Sequence, residues 1–278
     1  MTQLTYVYFI VSLLVSYGVA RIILPSILKL ITEAGYVRAN FRGDAIPVGV
    51  GLVFFISVLL PTSFVLFLNT DRYQPSALLY LFVLGSMTLL GMTDDIFGSR
   101  ADSGLKGHIK KMLRGELTTG GLKLAAGGVM SMVVAVSISS HWQDIVLNTL
   151  VIALSINAIN LLDLRPGRAG KGFLLGGILL FLGGWPSFNL VWYVMTMGAL
   201  LAYLPTDLKA KAMMGDTGSN ALGATIGITS VLVLPETVKV SYLVFLIAFH
   251  LFTEKYSLTK IIEKNKTLNY LDQLGRNQ

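Results

Sequence analysis

Apolar residues gather into nine stretches separated by polar interruptions, at roughly 4–31, 48–68, 76–93, 122–140, 145–162, 172–185, 188–205, 220–234 and 240–253. Stretches of about 17 to 25 apolar residues cross a bilayer as helices. The pattern therefore predicts an all-α fold, a polytopic integral membrane bundle of about nine transmembrane helices. The first stretch reads as a permanent span, because its apolar run is long, no basic leader precedes it and no small-residue cleavage site follows. Glycines inside the spans, among them Gly127, Gly176, Gly223 and Gly227, are expected to let helices approach closely. No repeat of 20 to 50 residues occurs, so one transmembrane domain over 1–278 is expected. Its polar segment 254–278 carries apolar residues at Tyr256, Leu258, Ile261 and Ile262, which suits an amphipathic helix lying along the membrane surface.

Charge supplies an orientation. With the N-terminus outside and the C-terminus cytoplasmic, only Arg72 and Lys239 of the 22 Lys and Arg residues fall on the outer side, in keeping with the positive-inside rule. The formal charge of +7 then describes a basic cytoplasmic face that attracts anionic lipids and anionic soluble substrates, with no nucleic acid implied. The longest inner loop, 94–121, holds Arg100, Lys106, His108, Lys110, Lys111 and Arg114. The absence of cysteine excludes disulfides, Cys-ligated zinc and thiol catalysis.

Acids stand at the ends of spans that share this predicted face. Asp94 and Asp95 close the third span, and adjacent carboxylates call for Mg²⁺ or a basic partner unless both are simply solvated. Asn157, Asn160 and Asp163 recur every third residue, forming one polar stripe on an apolar helix. The stripe suits hard-ligand chemistry or interhelical hydrogen bonding. Met214-Gly215-Asp216-Thr217-Gly218-Ser219-Asn220 opens the eighth span. Glycines beside an acid at a helix start suit a phosphate and its metal, although an ordinary capping loop accounts for Asp216 or Ser219 singly. Arg42, beside the turn that leads through Pro47 and Gly49 into the second span, is either a lipid-phosphate contact or an ordinary flanking cation.

In chain order these strings resemble the polyprenyl-phosphate N-acetylhexosamine-1-phosphate transferase family, glycosyltransferase family 4, of which the chain looks like a divergent short member. The matching strings are Ile46-Pro47-Val48-Gly49, Gly91 to Asp95, Asn157 to Asp163 and Met214 to Ser219. The resemblance implies a Mg²⁺-dependent transferase, with Mn²⁺ as an alternative ion. It would move a sugar-1-phosphate from a UDP-sugar to a polyprenyl (undecaprenyl) phosphate on the cytoplasmic face of the cell membrane, releasing UMP and starting a cell-envelope glycan. Asp216 would be the principal metal ligand with Asp163 assisting, and Asp94 or Asp95 would position or deprotonate the lipid phosphate. Asn160, Asn157, Lys123, Arg165, Arg168, Arg42, Gly218 and Ser219 would bind substrate. A homodimer stays open.

Two departures from the family pattern leave a second class of function open, a non-catalytic relative that binds polyprenyl phosphate or a partner protein. Where members continue from the first acid of the third string as Gly-x-Asp-Gly-Leu-Ala, this chain has Leu164-Arg165-Pro166-Gly167-Arg168-Ala169. One carboxylate is lost and two cations enter, a change that favours a more anionic ligand. The family's His-rich inner loop has no counterpart either: His250 lies inside the ninth stretch, His108 in the basic loop and His141 in an outer loop.

Overall fold

The computed structural model describes residues 3–68, 70–98, 111, 114–116 and 118–276. Arg100, Lys106, His108 and Lys110 of the basic loop lie outside the described residues. A helix forms at each of the nine predicted stretches: α1 (Gln3–Glu33), α2 (Leu52–Leu68), α3 (Thr70–Phe97), α4 (Thr119–Ile138), α5 (Trp142–Leu162), α6 (Arg168–Gly184), α7 (Leu190–Leu208), α8 (Gly215–Val233) and α9 (Glu236–Lys255). Two short helices follow, α10 (Leu258–Lys264) and α11 (Lys266–Gln273). The chain is an all-α polytopic membrane protein. Among the described residues the one small sheet is the antiparallel hairpin β1 (Val37–Ala39) and β2 (Ala45–Pro47), in which Arg38 faces Ile46. The sequence pattern read this stretch only as a shaped turn.

Among the described residues, five helices are long and apolar enough to cross a membrane on their own: α1, α3, α4, α5 and α9. α8 is not one of them, and the reason is its position. It is the hub of the bundle, packed against α2, α3, α5, α6 and α7, with every residue from Thr217 to Val231 buried. A helix enclosed by protein needs small residues for close packing rather than apolar bulk for lipid. A Cβ added at Gly223 would lie 2.5 Å from the Ile156 Cα, and one at Gly227 would lie 2.9 Å from the Ile152 Cα. The spacing of four therefore lays α8 directly on the α5 backbone, as expected for those two glycines. At Gly128 the same test meets nothing, so close packing does not explain that residue. α9 is the opposite extreme, packing on α5 and leaving Val244, Phe245 and Leu251 exposed, as a lipid-facing helix does.

The ends of α1, α3, α5 and α7 and the starts of α4, α6 and α8 meet at one end of the bundle, where the hairpin also docks. The segment before α8 pairs with the chain leaving β2: the Met213 N–H donates to the Pro47 carbonyl at 2.8 Å, and the Gly51 N–H donates to the Met214 carbonyl at 3.1 Å. A Cβ at Gly51 would lie 2.1 Å from the Gly218 Cα, so backbone meets backbone here. This junction fixes the first turn of α8 against the start of α2, and α3 meets the same turn at Gly91, where a Cβ would lie 2.2 Å from the Asp216 carbonyl oxygen.

Candidate active site

Asp94 and Asp95 lie in the last turn of α3, and consecutive helical residues point about 100° apart, so the pair divides. Asp95 turns to the start of α8. Its Oδ1 accepts the Asp216 N–H at 2.9 Å, and its Oδ2 accepts the Thr217 N–H at 2.9 Å and the Thr217 hydroxyl at 2.6 Å. Helix N-termini offer unpaired N–H groups and positive dipole ends to an anion. The sequence places a phosphate there, whereas in the structure the anion is the Asp95 carboxylate itself. Gly215, at φ 68°, leaves the room, since a Cβ there would lie 2.4 Å from Asp95 Oδ2. Arg38, which the sequence pattern did not single out, donates from Nη2 to the Asp95 carbonyl at 2.5 Å.

Asp94 faces Lys123 near the start of α4. The ammonium donates to Asp94 Oδ2 at 3.2 Å and also to Asp216 Oδ2. Side-chain exposures of 18%, 19% and 27% for Lys123, Asp94 and Asp216 leave all three reachable yet largely desolvated. Lys123 is thus the shared counterion of two carboxylates. The Asn160 amide donates to Asp216 Oδ2 at 3.3 Å and to Asn220 Oδ1 at 3.2 Å, so the polar stripe of α5 ends on the same carboxylate. Among the described residues the hydrogen bonds from this stripe to the cluster come from Asn160, and none comes from Asn157, its first residue.

Asp163 follows α5 as its capping residue, with φ −77° and ψ 49°, and among the described residues its carboxylate has no ion pair. Burial first, then the negative charges of Asp207, Asp216 and Asp95, hold its carboxyl well above the usual carboxylate range. A cation would relieve that environment. Asp207, buried near the end of α7 and absent from the sequence motifs, accepts the Gly167 N–H at 2.8 Å. Among the described residues no three acidic or His side chains converge on one point, so no all-protein metal cage is formed. Mg²⁺ ordinarily keeps several waters and takes one or two carboxylates beside substrate phosphates, and Asp216 with the unpaired Asp163 fits that requirement.

Several sequence expectations need correction. Gly218 and Ser219 are buried in the packed first turns of α8: Gly218 lies against Gly51 and Phe54, which places both residues behind the site rather than on a substrate surface. Arg168 is buried and spends its guanidinium on Asp272 and Thr259, so it is not free to read a substrate. Arg165 and Arg42 flank the exposed Phe41 ring, at 5.6 and 5.1 Å from its centroid, and Arg165 also lies 3.9 Å from Glu263. The single surface helix expected after Lys255 is two helices broken at Asn265. α11 presents Leu268 and Leu271 outward while burying Asp272. His250 stays inside α9, with Nδ1 2.7 Å from the Leu246 carbonyl. Two cavities of about 540 and 400 Å³ lie at the opposite end of the bundle, near Pro75, Ser137 and Lys239, away from the acids.

Helix ends that bring an acid–lysine–acid group and an unpaired acid together within a multi-pass bundle define a membrane protein with a polar centre at one end. The chain belongs to glycosyl transferase family 4, whose sequence profile matches residues 77–234. That span runs from α3 to the end of α8 and contains every acid of the cluster. Among similar proteins is the phospho-N-acetylmuramoyl-pentapeptide-transferase of Staphylococcus saprophyticus, 28% identical over 84% of this chain and 78% of its own length. The Staphylococcus aureus protein of the same name is 27% identical over 83% of this chain and 77% of its own length.

Proposed function

We propose that this chain transfers a sugar-1-phosphate from a UDP-sugar to polyprenyl phosphate at the cytoplasmic face of the cell membrane, starting a cell-envelope glycan. The observation that carries the reading is the Asp94–Lys123–Asp216 group beside the unpaired Asp163, inside the region matched to a transferase family. In the reaction an oxygen of the lipid phosphate forms a bond to the β-phosphorus of the UDP-sugar. The bond from that phosphorus to the bridging oxygen breaks, and UMP leaves with the oxygen and the electron pair.

A phosphate monoester has a second pKa of about 6, so the nucleophile is already an anion at neutral pH and needs no strong base. The demand on the protein is alignment and charge neutralisation. Lys123 supplies a cation that contacts two carboxylates and, by releasing one, can take a phosphate oxygen. Asp94 holds that ammonium in place, and Asn160 orients Asp216. Asp216 and Asp163 would hold Mg²⁺, or Mn²⁺ in its place, which when bound neutralises the diphosphate and steadies the leaving phosphate. Arg42 and Arg165 at the hairpin rim offer positive charge to the incoming nucleotide.

The test is UMP release by purified protein in detergent with undecaprenyl phosphate, Mg²⁺ and a panel of UDP-sugars, with Asp216→Asn as control. Release that requires lipid, metal and Asp216 supports the transferase and names its donor. No release across the panel, with lipid phosphate still bound, would replace it with a non-catalytic lipid-binding role.

A further inference from the structure

The loop 163–167 joins α5 to α6 and carries Asp163 at its first position. From the bundle side it is held by Asp207, through the Gly167 N–H at 2.8 Å. Gly167, at φ 75°, lies against Leu208, whose Cδ2 a Cβ there would meet at 2.4 Å. From the other side it is held by residues about a hundred positions further along the chain. Arg276 donates from Nε to the Pro166 carbonyl at 2.6 Å and from Nη2 to Asp272 Oδ1 at 2.9 Å. Arg168, the first residue of α6, meets both oxygens of Asp272, at 2.8 Å from Nε and 2.9 Å from Nη2, and reaches the Thr259 hydroxyl at 3.0 Å. Lys171 donates to the Leu271 and Asp272 carbonyls at 2.9 and 2.7 Å, satisfying carbonyls at the end of α11 as a basic residue there does.

The Arg168 and Asp272 side chains are 6% and 8% exposed. A two-toothed, desolvated guanidinium–carboxylate pair fixes direction as well as distance. These contacts account for the departure in the sequence: the cation at Arg168 and the acid at Asp272 answer each other, so the arginine serves the 257–276 segment.

We propose that segment 257–276 is a positioning element, with Asp272 and Arg276 as its positioning residues, which holds the 163–167 loop so that Asp163 points into the acid cluster. This rests on the transferase reading above. Asp163 has a non-helical backbone and, among the described residues, no side-chain hydrogen-bond or ion-pair partner, so its direction follows the path of the loop. A reacting group displaced by about 1 Å can lose on the order of 100-fold in rate.

The experiment compares the full-length wild type with Asp272→Asn, Asp272→Glu and Arg276→Ala in detergent, reading hydrogen exchange at residues 164–168 together with kcat and KM. In Asp272→Asn, exchange of the loop should rise about tenfold or more and kcat should fall about tenfold or more, while KM for polyprenyl phosphate stays within about twofold. Arg276→Ala should give a smaller change of the same kind, and Asp272→Glu should recover much of both losses. Unchanged exchange in Asp272→Asn and Arg276→Ala overturns the clamp whether or not the protein turns over. Raised exchange with unchanged kcat overturns the positioning role and leaves a structural contact. A wild type that binds lipid without releasing UMP overturns the transferase reading and the catalytic half of this proposal, while the exchange result still decides the clamp.

Discussion

Replacing Asp95 by Ala separates a structural acid from a reacting one. The carboxylate accepts three donors at the start of α8, two from backbone N–H groups and one from the Thr217 hydroxyl. The Asp216 N–H lies at a partly exposed residue and can turn to water, whereas Thr217 is buried and its two donors cannot. An unsatisfied buried donor costs about 1–3 kcal/mol, and loss of a helix-capping acid about 0.5–2 kcal/mol. Because these overlap, about 3 kcal/mol is expected in all. At roughly 2–4 °C per kcal/mol for chains of 150–250 residues, the unfolding midpoint should fall by about 6–12 °C. Thermal unfolding of the purified protein in detergent, followed by tryptophan fluorescence, measures this shift, with UMP release at a temperature where the variant is folded as the parallel reading. Thr217→Val, which removes one of the three bonds, should lose about 1 kcal/mol. An Asp95→Ala protein with an unchanged midpoint and no turnover would refute the capping assignment and return Asp95 to the chemistry.

Lys123→Met leaves Asp94 and Asp216 without their shared cation, so added Mg²⁺ should raise the unfolding midpoint of this variant more than that of the wild type; equal shifts would mean that the ammonium and the ion do not compete for these carboxylates, and no shift in either protein would mean that they hold no ion. Gly223→Leu forces a side chain into the Ile156 backbone and should destabilise the protein by about 3 kcal/mol or more, read as loss of folded, monodisperse material on size-exclusion chromatography. Burial raises the Asp272 carboxyl, but hydrogen bonds from Arg168 and Arg276 and then their charges outweigh it and hold it below the usual carboxylate range. The folded pKa is depressed, so the contribution of this acid to docking is complete above the unfolded value of about 3.9 and fades as pH falls below it. A spin label at Tyr270→Cys, in a chain with no cysteine of its own, should keep one spectrum from pH 7 to about 4 and gain mobility below that; a gain at pH 6 would contradict the sign.

The hydrophobic pattern alone determined the nine helices and their bounds to within about six residues, because in a bilayer the backbone must satisfy itself and long apolar runs have no other solution. It also gathered Asp94, Asp95, Asp163 and Asp216 at one end, since alternate spans end on the same face. What each acid does was a tertiary matter. Adjacent residues Asp94 and Asp95 carry the same charge on one helix, yet one meets Lys123 from α4 and the other the first turn of α8, a choice set by their rotation about the helix axis and by the close approach of Gly91 to the Asp216 backbone. The centrality of α8 was hidden for a related reason: its Gly, Ser and Thr content lowers its hydropathy, and only the five neighbours around it turn that composition into close packing. Arg168 and Asp272 stand 104 positions apart, and no local periodicity links them. Sequence can display an unexpected charge, but its partner is decided by which surfaces the fold brings together and removes from water.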